Sequence, residues 1–404
     1  MGKPLILLGA GATAAVTNGN LPTGENFFCN NKQWTNRPGS YPHLELAYRK
    51  VQDLKCSGSD PISLTDAWLF IDTLFKYHSA INSNNAYNYK LLQLRYRDDG
   101  TSIPHYLTPQ YLNQHYARVC SGMRPLFSRL YKKIYETFPR TDPIYYFLIL
   151  AGWELKHLLY RTYNPQEETN DLYRSLLKKL KMECIPVINF NFDIYFERAC
   201  RQESWDLKLE TEANEKSTEL PAQKTILLCK PHGGWNIRHT DNEICPFPIL
   251  SDSIEDCSFD RFEDREVLPA MIPYFSMPDE ISNEHLSQFP GVGEYFVKQQ
   301  KVMKKMLKEA ERIVSIGYSF SKDDLHVTEL IKEMIQGESG QQIHRRMLCI
   351  LKDDKKIMSL KTKKRIMELW QSTNDHGGKG RFQYHEKGFD KQSITKIAKF
   401  FESN

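Results

Sequence analysis

Five short runs of Ile, Val and Leu limit what this chain can fold into: Leu5–Leu8, Pro186–Asn189, Thr225–Cys229, Ile313–Ile316 and Met347–Leu351. Each is four or five residues long and none alternates apolar with polar positions. A strand half-exposed to water alternates, whereas one covered on both faces does not, so these runs predict buried strands of a parallel sheet. Helical periods separate the later runs. Val297–Arg312 places Val302, Met303, Met306, Leu307 and Ala310 on one face, and Ser393–Phe401 does the same with Ile394, Ile397, Ala398 and Phe401. Strand–helix–strand alternation predicts an α/β fold with a doubly wound, Rossmann-like parallel sheet.

Residues 43–180 differ from this pattern. They are rich in Tyr, Leu, Lys and Arg, and carry helix-spaced sets such as Trp68, Ile71, Leu74 and Phe75, or Leu126, Leu130, Ile134, Tyr135 and Phe138. The expected organisation is therefore a discontinuous sheet domain, 1–42 with 181–404, and a large, mostly helical insertion over 43–180. Residues 240–289, dense in acidic residues and Pro, are expected to fold over one sheet edge. The Lys-rich stretch Lys352–Lys364 has acidic and apolar interruptions, so a solvated helix face explains it better than a nucleic-acid patch.

Charge and cysteine content exclude some classes. Lys plus Arg number 54 against 50 Asp plus Glu, a net +4, too balanced to imply nucleic-acid binding. The nine cysteines contain no C-x-x-C pair, which fits a reducing cytoplasm better than a disulfide framework or a four-cysteine zinc site. The apolar N-terminal run contains Gly9, Gly11 and Thr13 behind a thin positive end. It reads as a core strand entering a turn, not as a secretory signal. No stretch has the length of uncharged apolar sequence that a membrane span needs.

Four of the strand runs end in residues that carry chemistry. Gly9-Ala10-Gly11-Ala12-Thr13-Ala14 is a G-x-G-x-x-A directly after the first. Gly9 permits a tight turn, Gly11 a close backbone approach to pyrophosphate, and Ala14 close helix packing; the amides at the helix start, with Thr13, would hold the phosphates. A purely structural glycine turn is the alternative. A dehydrogenase site also wants an acid about twenty residues on, ending a second strand. Here Asn26-Phe27-Phe28-Cys29-Asn30-Asn31 supplies none, which points to a bound dinucleotide and away from hydride transfer.

Asn189-Phe190-Asn191-Phe192-Asp193, followed by Glu197, sets polar side chains at a carboxyl edge, where doubly wound sheets bind ligands. An Asn/Asp turn that caps the next helix is the alternative. Lys230-Pro231-His232-Gly233-Gly234 brings a histidine, the side chain suited to take a proton near neutral pH, beside paired glycines. A lone loop histidine is usually structural, a reading that three polar strand ends in one sheet weaken. Gly317-Tyr318-Ser319-Phe320-Ser321, with Asp323, Asp324 and His326 beyond, offers amides and hydroxyls to phosphate or ribose, and Ser321 could cap a helix.

In this order, Gly-Ala-Gly, Asn-aromatic-Asp, His-Gly and Gly-Tyr-Ser resemble the sirtuin family, in particular the divergent sirtuin-like domains of bacterial antiphage defence systems that hydrolyse NAD. The resemblance covers roughly half the chain and leaves the helical insertion unmatched. It implies NAD as substrate, with Gly9, Ala10, Gly11, Thr13, Gly317 and Ser319 on its phosphates or ribose. Asn191 would hold the ribose or a water, Asp193 would orient that site or favour developing positive charge, and His232 would act as general base. The end of the Met347–Leu351 run, near Lys352 and Asp353, would touch the adenosine. It further implies a gated effector of abortive infection, a homo-oligomer through the helical insertion, and a separate partner such as a HerA-like ATPase, an Argonaute or a nucleotide-processing protein. The chain has no G-x-x-x-x-G-K-[ST] of its own.

The chain departs from that family in three places. Protein-deacylating sirtuins carry two Cys pairs on a structural zinc soon after the catalytic His, and here only Cys245 and Cys257 follow, so no metal is expected. Ala12-Thr13 stands where Gly-Ala-Gly is usually followed by Ser. Leu21-Pro22-Thr23-Gly24 lacks the Arg of the family's Pro-Asp-Phe-Arg stretch. These departures count against deacylation and leave NAD cleavage as the expected activity. An ADP-ribosyltransferase or deacylase, and a catalytically silent NAD or ADP-ribose sensor serving as scaffold, are the alternatives.

Overall fold

The apolar runs form strands whose two faces are both covered. The structure, a computed structural model, describes residues 3–17, 21–22, 27–55, 61–82, 104–127, 131–132, 135–136, 142–163, 171–209, 224–238, 269–271, 292–320, 327, 330, 345–352, 363–364 and 382–402. The strands described are β1 (Pro4–Leu8), β2 (Cys184–Asn189), β3 (Asp206–Leu209), β4 (Thr225–Cys229), β5 (Gly233–Arg238), β6 (Pro269–Met271), β7 (Arg312–Ile316), β8 (Arg346–Ile350) and β9 (Phe382–His385). The helices are α1 (Ala10–Val16), α2 (Phe27–Asn30), α3 (Lys32–Thr35), α4 (Pro42–Leu54), α5 (Leu64–Asn82), α6 (Pro109–Val119), α7 (Pro143–Tyr163), α8 (Asp171–Lys179), α9 (Tyr195–Gln202), α10 (Val292–Glu309) and α11 (Lys391–Glu402).

Seven strands make one sheet in the order β3-β4-β2-β1-β7-β8-β9, every neighbouring pair parallel. β5 and β6 pair separately as an antiparallel ribbon. Successive strand residues point to opposite faces. Ile6, Leu8, Val187, Val314, Ile316 and Leu348 pack under Tyr173, Leu177, Phe196, Ile397 and Phe401 of α8, α9 and α11. Leu5, Leu7, Ile188, Ile313, Met347 and Cys349 pack under Val302, Met303, Met306 and Leu307 of α10. Helices thus cover both faces, and the fold is the doubly wound, Rossmann-like α/β architecture.

β3 and β9 were not among the five expected strands. They are the two edges of the sheet, and their residues, Asp-Leu-Lys-Leu and Phe-Gln-Tyr-His, are mostly half-buried and lack an apolar run. Helix α10 stops at Glu309, short of the expected Arg312, because Arg312 opens β7 and its amide donates to the Lys3 carbonyl.

The chain divides into a sheet unit, 1–21 with 164–404, and a helical unit, Pro22–Tyr163. These bounds differ from the 43 and 180 expected. Residues 22–42 include α2 and α3, which fall in the helical unit, while α8 buries Tyr173, Leu176 and Leu177 against the sheet. In the helical unit α4, α5 and α7 pack on one another, and α5 carries the expected set Trp68, Ile71, Leu74 and Phe75. Glu154 on α7 accepts from the Leu44 amide and from His43 Nδ1, whose ring in turn accepts the Leu126 amide through Nε2. Asn31 caps α3 and donates to Thr162 on α7.

Most of the Leu126–Phe138 pattern, of 240–289 and of Lys352–Lys364 lies outside the described residues. Among the described residues, no helix is long and apolar enough to cross a membrane.

Candidate functional site at the carboxyl edge of the sheet

The chain moves outward from β1 to β2 and β4, then returns to β7 on the opposite side of β1. Where strand order reverses in this way, the loops diverge and leave a crevice at the carboxyl ends, the usual ligand position in such sheets. The Gly9–Thr13 and Gly317–Phe320 turns end the two strands that flank this point. The Gly9 amide donates to the Ile316 carbonyl at 3.0 Å and the Gly11 amide to Gly317 O at 2.9 Å. A Cβ on Gly9 would come within 2.5 Å of Tyr318 Cα, and one on Gly11 within 3.0 Å of Gly317 Cα. The glycines are therefore required by backbone-on-backbone packing of the two turns, and the Gly9 and Gly11 amides are committed to that packing. Ala10 is the exposed residue of the first turn.

From β2, Asn189 Oδ1 accepts the Asn191 amide at 3.0 Å. The Asn191 side-chain amide donates to Thr13 Oγ1 at 3.0 Å, and that hydroxyl donates to Asp193 Oδ2 at 2.7 Å. Asp193 Oδ1 accepts the Tyr195 amide at 3.1 Å, an Asx turn that leads into α9, whose N-cap residue Ile194 makes no side-chain cap. The Asn/Asp-turn and ligand-site readings of this segment are compatible: the turn uses Asp193, while Asn191 is held by Thr13. All four polar side chains are buried. The Tyr173 hydroxyl, which makes no well-formed hydrogen bond, faces Thr13 and Asn191.

At the end of β4, Lys230 is fully buried. Its ammonium donates to Glu197 Oε1 at 2.6 Å and to the Asp193 carbonyl at 3.0 Å, while its amide donates to Gln299 Oε1 at 2.7 Å. The Gly233 amide closes the turn onto Lys230 O at 2.9 Å, with Gly233 in the left-handed region at φ 73°. That turn carries His232. The His232 ring packs edge-on to Phe190 at 5.3 Å and tilted to Phe192 at 6.5 Å, the two residues on either side of Asn191. Phe190 stacks on Tyr318 at 4.2 Å, so an aromatic row links the ends of β7, β2 and β4. Phe320, buried at a left-handed φ of 50°, packs on Tyr318 at 4.8 Å. Such a non-glycine conformation costs on the order of 1 kcal/mol and is held by its surroundings.

The edge thus gathers Gly9, Ala10, Gly11, Thr13, Asn191, Asp193, His232, Gly317 and Ser319 onto four neighbouring loops. Ser321, Asp323, Asp324, His326, Asp353, Cys245 and Cys257 lie outside the described residues, and Lys352 is exposed in an isolated bridge with Lys387. Sequence reasoning did not assign roles to Asn189, Glu197, Lys230, Gln299 or Tyr173. A lysine directly after an apolar, non-alternating strand was the available signal.

Burial pushes the Asp193 carboxyl up to about 6, with the Thr13 hydrogen bond opposing it. A free aspartate titrates near 4. Between these values the folded chain keeps a proton that the unfolded chain has released. The stabilisation is complete below about pH 4 and is lost as pH rises through about 6. Asp193→Asn is expected to flatten the pH profile of the urea midpoint over that window by roughly 3 kcal/mol. Superimposable profiles for variant and wild type would contradict this.

Among the described residues, no group of three or more His, Cys, Asp or Glu is placed to hold a metal ion. No protein-family model matches the chain and no curated protein matches its sequence. What the edge does chemically follows from its own groups. They are a buried amide–hydroxyl–carboxylate relay, a histidine against an aromatic wall, and turns at the switch point of the sheet.

Proposed function

We propose that this edge binds NAD and cleaves its nicotinamide–ribose bond with water, giving nicotinamide, ADP-ribose and a proton. The observation that carries the reading is the row Tyr318–Phe190–His232, which sets His232 beside Asn191 at the reversal of strand order. Nicotinamide departs as a neutral molecule with the bonding pair, and positive charge develops on the ribose as in other glycosyl transfers. Water adds at that carbon and passes its proton to His232, a step worth about 10²- to 10⁴-fold when a base is positioned.

Asn191 orients the ribose or the water. Its amide is fixed by Thr13, and Thr13 by Asp193, so Asp193 acts through the other two as a positioning group. Gly317 and Ser319, with Ala10 at the start of α1, line the side of the crevice assigned to phosphate and ribose. Unchecked NAD loss is toxic, so this reading includes a gate. It assigns the helical unit to self-assembly or to a separate partner such as a HerA-like ATPase, in an abortive response to phage.

The test incubates the full chain with NAD, alone and with a candidate partner ATPase, in the presence and absence of an acyl-lysine peptide. Equimolar nicotinamide and ADP-ribose without peptide is the expected result. Release that requires the peptide and yields acylated ADP-ribose would make the protein a deacylase, and NAD bound without release would make it a scaffold.

A further inference from the structure

Lys230 is the one fully buried lysine among the described residues, and the mechanism above does not use it. Lysine is almost never fully buried unless paired. Here its ammonium, amide and carbonyl each have a hydrogen-bond partner. Its ammonium reaches Glu197 on α9 and the carbonyl of Asp193, at the end of the turn that begins with Asn191. Its own carbonyl accepts the Gly233 amide, closing the turn that carries His232, and its amide is held by Gln299 from the opposite face of the sheet. The register Ile188↔Cys229 between β2 and β4 sets the two loops side by side. A single side chain thus bridges the loop with Asn191 and the loop with His232.

We propose that Lys230 is a positioning residue: its ammonium, shared between Glu197 Oε1 and the Asp193 carbonyl, locks the Asn191 turn in registry with the His232 turn. The catalytic part of this role rests on the NAD reading above; the locking does not. Glu197 lends its charge to hold the ammonium in a dry site, and its second oxygen makes no hydrogen bond. Removing Lys230 alone would therefore leave a buried carboxylate uncompensated, which is strongly destabilising. Replacing both partners by apolar side chains is often close to neutral. The double variant separates the clamp from the stability of the fold.

The experiment compares Lys230→Met/Glu197→Leu with wild type, in the full chain, by thermal melting, residue-resolved amide exchange and NAD cleavage. The double variant is expected to melt within a few degrees of wild type. Its Asn191, Tyr195 and Gly233 amides should exchange at least tenfold faster, with Leu7 and Val314 in the central strands unchanged. In the double variant kcat should fall at least tenfold with KM within twofold, because registry and not substrate affinity is lost. Unchanged loop exchange in a folded double variant overturns the proposal whatever the activity. Equal loss of protection at Leu7 and Val314 also overturns it, since general loosening would then explain the effect. If wild type releases no nicotinamide while the loop amides respond as expected, the clamp stands and the NAD reading falls.

Discussion

Gly317→Ala is expected to prevent the sheet unit from folding stably. A Cβ there would lie 1.9 Å from the Ala12 amide nitrogen and 2.4 Å from the Gly11 carbonyl carbon, with φ at +66°. The left-handed conformation alone would cost an alanine about 1–2 kcal/mol. The contacts cost far more, because both are with backbone and no rotamer change relieves them. Relief requires α1 to move away from β7, which would break the Gly9–Ile316 and Gly11–Gly317 hydrogen bonds at the centre of the sheet. A loss above about 4 kcal/mol belongs to the severe end of single substitutions and is a large share of the roughly 5–15 kcal/mol that holds a domain together. Gly122→Ala is the control. Gly122 also has a positive φ, +79°, but nothing lies within 4 Å of its virtual Cβ, so about 1 kcal/mol is expected. Urea midpoints of the two variants measure the difference, and equal effects would show that the turns do not pack as described.

The same glycines show what a sequence can and cannot reveal. Gly-Ala-Gly after an apolar strand marked a tight turn at a ligand edge, and the turn is there. Its packing partner is Gly317, some three hundred residues on, and no local pattern announces that the two turns press on each other. The non-alternating runs of β1, β2, β4, β7 and β8 were legible because burial on both faces leaves a one-dimensional trace. β3 and β9 left none, since an edge strand needs neither an apolar run nor clean alternation. The helical unit was visible in Trp68, Ile71, Leu74 and Phe75, but its ends were not. Helix α8 has the amphipathic period of an insertion helix, and only the sheet face it covers places it in the other unit. Asn191, Asp193 and His232 were legible as polar ends of apolar strands. Lys230 and Glu197 were not, because lysine and glutamate read as surface residues until the register of β2 against β4 brings them together.

The second large effect is on the chemistry. Asn191→Ala removes the side chain that donates to Thr13 and that this account places on the ribose or the water. His232→Ala removes the proton acceptor while leaving the Lys230–Gly233 turn, whose hydrogen bond is made by backbone atoms. Both side chains are buried, His232 against Phe190 and Phe192, so each truncation also costs some stability. Each is expected to lower the rate of nicotinamide release by at least about 10²-fold, the lower end of what a positioned base or its partner supplies. Both variants should melt below wild type yet remain folded at the assay temperature, which a thermal melt of each checks. The measurement is nicotinamide release from NAD by wild type, Asn191→Ala and His232→Ala, under whichever condition supports the highest wild-type rate. The account predicts release by wild type and a loss of two orders of magnitude or more in each folded variant. Release at the wild-type rate by either variant would contradict it.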